Sequence, residues 1–206
     1  MFRKQTAIAI AVAAAAGLVV SLSASAGPAT AATGNQGYAV YRDGVVGFEW
    51  HTGLMDDPHY NTTTLPVTHH PGSGTVTFGT WAKFLDGNTY KGVYRPKTAP
   101  SSSARDSFVS MGRKLINEDI PYNLGYQVMY DTGTAGTYVD PIEIKSIRCD
   151  GVIEYVYEWY NYKVYGGDWW DVTKNDYVTR ELHSGFGVTP KIQASSYLTK
   201  VSSSLP

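Results

Sequence analysis

Arg148-Cys149-Asp150-Gly151-Val152-Ile153-Glu154-Tyr155-Val156-Tyr157 holds the single cysteine of a 206-residue chain. Cys149, Val152, Ile153, Val156 and Tyr160 fall at i, i+3, i+4, i+7 and i+11, the spacing of one helical face. The pattern predicts a helix with one inward apolar stripe and the thiol at its first turn. There the sulfur meets the positive end of the macrodipole and unpaired backbone N–H groups. Both favour the thiolate, and the same N–H groups stabilise an oxyanion when it attacks a carbonyl. The bland alternative is packing, since free cysteine is among the most buried residue types.

The start of the chain bears on that choice. Arg3 and Lys4 precede an apolar run from Ala7 to Val20, followed by Ala24-Ser25-Ala26 and Ala29-Thr30-Ala31. Residues 1–31 therefore read as a secretory signal peptide, and the expected location is secreted, extracellular or in the cell envelope. Exported proteins use cysteine in pairs, as disulfides. An unpaired thiol there is a liability unless it is used. The apolar run is shorter than the roughly 20 residues that span a bilayer, and no second run follows, so no stable membrane insertion is expected.

Residues 32–206 are one domain's worth of chain. A net charge of −1 without a basic block gives no reason to expect nucleic acid as a partner. Sixteen Tyr and five Trp suit a β-rich core or a cleft that grips an extended polar substrate. Nothing in the sequence calls for a cofactor or encodes an oligomeric state.

The first half reads as short strands: Tyr38 to Tyr41 stopped by Asp43-Gly44, Val45 to Met55, Leu65 to His70, Thr75 to Phe78, and Tyr90 to Tyr94. In the second of these, alternation puts Val46, Phe48 and Trp50 on one face and Gly47, Glu49, His51 and Gly53 on the other. A helix follows, with Ser103 and Asp106 as a near capping box and Phe108, Met111 and Leu115 at helical spacing. Asn123 to about Pro141 reads as a Gly-rich loop, the segment after Asp168 as irregular, and Thr189-Pro190 as the start of a last turn.

A reactive thiol needs an imidazole to manage its proton and a third polar group to orient that imidazole. His51 is the leading candidate, because Gly47 and Gly53 on its face leave room for a helix end or a substrate. His69 is in phase with Val67 on the next strand, and His70 points the other way, with one of the two expected to be solvated. His59 lies in a turn with Asp56 and Asp57, without the ligand spacing of a metal site, so no metal is expected.

These residues resemble a known group. Pro121-Tyr122 and the Cys149–Tyr157 block are similar to the Pro-Tyr and Cys-x-Gly-hydrophobic blocks of NlpC-type cysteine peptidases, papain-like enzymes that cut peptide bonds in bacterial cell walls. The segment that looks like their His-x-Gly strand, Trp50-His51-Thr52-Gly53-Leu54-Met55, precedes the cysteine instead of following it. That order resembles the circularly permuted branch, the YiiX-like proteins and relatives of lecithin:retinol acyltransferase. Val93-Tyr94-Arg95-Pro96 and Val188-Thr189-Pro190 look like that branch too.

The resemblance implies an α+β papain-like domain with a small antiparallel sheet or barrel packed on the cysteine helix. It implies Cys149 as nucleophile, His51 as base and His69 as the orienting residue. Tyr122, Asp150 and Trp50 would meet substrate, a peptide or cell-wall polymer. An acyltransferase or lipid amidase, or a catalytically silent peptide- or glycan-binding module, stands as the alternative. Two features depart from the family's pattern. His51 and His69 are 18 residues apart, so Asp57–Thr64 would be an insert, and His70 or a polar group of that insert competes for the third role. Asp150 replaces the more usual Ser, and an acid there opposes a thiolate beside it. A non-permuted reading through His183-Ser184-Gly185 leaves only 23 residues after His183, too few for the remaining strands.

Overall fold

The computed structural model describes residues 34–45, 49–56, 66–131, 133–164, 172–174 and 187–205. The predicted signal peptide, Val46 to Phe48, the Asp57–Thr64 insert with His59, and His183-Ser184-Gly185 lie outside the described residues. The fold is α+β. Strands β1 (Ala39–Val45), β2 (Glu49–Met55), β3 (Val67–His69), β4 (Thr77–Gly79), β5 (Tyr90–Pro96) and β8 (Leu198–Ser202) form one antiparallel sheet in the order β4-β3-β2-β1-β5-β8. A separate hairpin pairs β6 (Val128–Tyr130) with β7 (Ile144–Ile147).

The expected stop at Asp43-Gly44 is a bulge instead. Gly44 takes φ +89° and the register shifts between Asp43 and Val45, so β1 runs on to pair Val45 with Glu49. The side chain of Asn88 fills the space that a Cβ at Gly44 would need, which is why the bulge carries glycine.

Helices α1 (Trp81–Leu85), α2 (Ser102–Asn117) and α3 (Cys149–Trp159) flank the sheet, and a single helical turn, Pro190–Ile192, meets β2. The cap of α2 is Ser101 rather than Ser103, its Oγ accepting from the Ala104 N–H at 3.2 Å. Strand alternation gives the sheet two different faces. Leu54, Tyr41 and Ala39 face α2 and α3 and join Phe108, Met111, Val152, Ile153 and Val156 in the main core. Val40, Met55, Val67 and Val93 face the other way and pack with Phe84 of α1 in a smaller core. Arg113 of α2 clamps Asp56 at the end of β2, with Nη2–Oδ1 at 2.5 Å.

Helix α3 is buried on every side from Cys149 to Glu158, more than a single inward stripe predicts. Segments that read as loop and tail cover its other faces: Gln127 precedes β6, and Gln193 opens a π-helical turn, Gln193–Tyr197, before β8. Tyr155 donates to the Val139 carbonyl at 2.5 Å and Tyr157 to that of Gly37 at 3.2 Å, so the hydroxyls of these two buried tyrosines are satisfied. Among the described residues, no helix is long and apolar enough to cross a membrane.

Candidate active site

The register of β2 and β3 sets two histidines side by side. His69 stands opposite Gly53, and His51 is two residues further along β2, on the same face and diagonal to it. Because Gly53 has no side chain, nothing separates the rings, and His51 Nε2 lies 3.0 Å from His69 Nδ1. The space at Gly53 is therefore taken by β3, not by a helix end or substrate: a Cβ there would meet Val67 Cγ1 at 2.5 Å and His69 Cβ at 3.0 Å. Gly79 of β4 makes room on the far side, where a Cβ would sit 2.5 Å from His69 Nε2. Phe84 covers both rings, 5.6 Å from each.

Both imidazoles are held neutral near pH 7. Burial, then the charges of His69 and Arg42, keep His51 well below the usual imidazole range. Burial and Arg42 bring His69 down to about 4. His70 is not solvated, as the alternation had implied for one member of the pair. It is buried, its ring 4.9 Å from that of Tyr122, its Nδ1 accepting from the Gly72 N–H, and burial lowers it to about 4.

Cys149 opens α3 and is 3 % exposed. Its sulfur lies beside the backbone N–H of Thr52, the residue next to His51, at a level of β2 beyond the last pair with β3. Among the described residues, Sγ makes no hydrogen bond to an imidazole. The helix-start argument for a thiolate is not met in the resting protein. Burial pushes the thiol up to about 12 and the Asp150 carboxylate adds to the rise, against smaller opposing effects of the Thr52 N–H, Arg148 and the Asp150 N–H.

The remaining candidates divide. Tyr122 is half-buried within electrostatic reach of Cys149, its hydroxyl pushed up to about 12 by burial and then by the sulfur's charge. Asp150 has no surface to offer a substrate. It is fully buried, with Arg148 Nε and Nη2 on its two oxygens at 2.6 and 2.8 Å and Gln127 Nε2 on Oδ2 at 3.1 Å. Trp50 is partly buried on the opposite face of β2 from His51, packed against the main core 6.2 Å from the Tyr41 ring. Asp56 is committed to Arg113, and among the described residues no three His, Cys, Asp or Glu side chains group as metal ligands would.

Sequence reasoning missed the polar groups beneath the thiol: Arg148, Gln127, Glu154 and Gln193. The available signal was three acids, Asp150, Glu154 and Glu158, four residues apart on a helix otherwise rich in apolar residues. Searches against protein-family models, curated proteins and solved structures find no match to this chain.

Proposed function

We propose that the chain is an exported cysteine hydrolase of the circularly permuted NlpC-type, papain-like kind, cleaving an amide bond in cell-wall peptides. The observation that carries the reading is the paired His51 and His69 on adjacent strands, with the sulfur of the helix-starting Cys149 at the backbone of the residue next to His51. With Nε2–H of His51 given to His69 Nδ1, Nδ1 of His51 is the atom left to take the thiol proton, once the sulfur leaves its resting place at the Thr52 N–H and comes within reach of a ring that packs on the Phe84 face of the sheet. Because thiol and imidazole both rest neutral, that proton moves as sulfur attacks the carbonyl carbon. The N–H groups of the first turn of α3 face the developing oxyanion. The proton returns to the leaving amine, and water resolves the thioester.

A catalytically silent peptide- or glycan-binding module is the second reading. It is favoured by the burial of Cys149 and by a cavity of about 580 Å³ at the far end of α3, lined by Lys97, Thr98, Tyr160, Asn161, Tyr162 and Lys163. Alkylation separates the two. For the hydrolase, iodoacetamide labels Cys149 in the native protein near neutral pH, and His51→Ala slows labelling by roughly tenfold or more. Labelling only after unfolding, equal in both proteins, would leave the binding module.

A further inference from the structure

Beneath the thiol lies a buried polar cluster that the reaction itself does not use. Asp150 is neutralised by the bidentate Arg148 guanidinium, whose Nη1 and Nη2 also donate to the Leu124 and Val188 carbonyls at 3.3 and 2.6 Å. One turn further along α3, Glu154 is fully buried, and its Oε2 accepts two amide N–H groups, from Gln127 Nε2 at 2.9 Å and Gln193 Nε2 at 3.1 Å. The same Gln193 amide donates to the Asp150 carbonyl at 3.0 Å, and its Oε1 accepts from the Tyr41 hydroxyl at 2.8 Å. Glu154 thus joins three separate parts of the chain: the segment before β6, the nucleophile helix and the turn before β8.

The Gln127 amide donates to both acids, to Asp150 Oδ2 at 3.1 Å and to Glu154 Oε2 at 2.9 Å, so an ionised Glu154 would set a second buried carboxylate against the first, one helical turn away. We infer that Glu154 is held as a neutral carboxylic acid under the first turn of α3, where it is a positioning residue for Cys149. It ties Gln127 and Gln193 to the helix and keeps a second negative charge away from the sulfur. The role at Cys149 rests on the hydrolase reading; the protonation does not.

Burial and then Asp150 push the Glu154 carboxyl up to about 8, against the two glutamine amides and Arg148. Among the described residues, the charged or titratable groups on the elements around it include Asp150 and Glu158 on its own helix, Cys149 at the helix start, Arg148 just before it, and Tyr41 on β1, reached through Gln193. Burial drives that phenol well above its usual range, so it stays neutral throughout.

The test uses the whole protein, ¹³C-labelled at Glu side chains, with E154Q as the neutral mimic. A carboxyl resonance present in the wild type and missing in E154Q is expected to titrate near pH 8. Iodoacetamide labelling of Cys149 between pH 6 and 10 is the second readout. Below pH 7 the two proteins should label at equal rates, and at pH 9 E154Q should label several-fold faster, because only the wild type has acquired the extra charge. A Glu154 resonance titrating below pH 5 overturns the inference whatever the thiol does. Titration near pH 8 with superimposed labelling profiles overturns the positioning role. A native Cys149 unlabelled in both proteins overturns that role too, together with the hydrolase reading, and leaves the neutral acid standing.

Discussion

His69 is gripped between two glycines, and its value to the site depends on both. Gly53 gives the ring room to lean along β2 toward His51, and Gly79 accepts its outer edge. In Gly79→Ala, the new Cβ contests the position of Nε2, and the ring swings off His51 while the strands stay paired. Turnover should fall on the order of 100-fold, the cost of misplacing a catalytic group by about 1 Å, with far-ultraviolet dichroism unchanged. Kinetics with any cleavable substrate read this out. Strand periodicity and spacing were enough to place His51 and His69 on neighbouring strands, since both depend on local order in the chain. The fate of Asp150 was beyond that reasoning. Whether an acid at a helix start meets substrate or an internal guanidinium depends on what buries it, and here Arg148 and Gln127 do.

Helix α3 owes its place to one close approach. Gly151 lies against the backbone of the segment before β6, where a Cβ would come 1.9 Å from the Gln127 carbonyl oxygen. Backbone cannot swing away as a side-chain tip can. Gly151→Ala should therefore cost more than the roughly 1–3 kcal/mol typical of overpacking. Gly112→Ala on α2, whose Cβ would crowd the side-chain tip Leu54 Cδ2 at 2.9 Å and meet Thr68 at ordinary contact distance, should cost less. Urea midpoints of the two variants check the order. The apolar spacing of α2 and α3 is strong enough to show in sequence. The β6–β7 hairpin and β8 are not, because Gly- and Ser-rich flanks mask short strands whose pairing is supplied from outside. β8 gains its ladder from the edge of β5, with Leu198 opposite Pro96.

Across the molecule, buried ionisable groups set a stability optimum. His69 and His70 are pushed from 6.5 down to about 4, and burial lowers His51 well below 6.5 as well. Between those values the unfolded chain binds protons that the fold refuses, so stability falls as pH drops through this window. The loss is about 1.4 kcal/mol per pH unit for each fully buried histidine. Glu154 acts with the opposite sign. Its folded value lies above its ordinary 4.5, so stability drains as pH rises toward about 8 and then levels. Three histidines outweigh one glutamate below pH 6.5, so the urea midpoint should peak near that pH. E154Q should lose the decline on the alkaline side.

The assignment itself turns on Cys149. The most direct measurement is the release of new amino groups from purified peptidoglycan by wild type, Cys149→Ala and His51→Ala, with folding verified by dichroism. Steady release by the wild type, absent in Cys149→Ala and lowered at least 100-fold in His51→Ala, is the predicted result. Equal release by wild type and Cys149→Ala would contradict it.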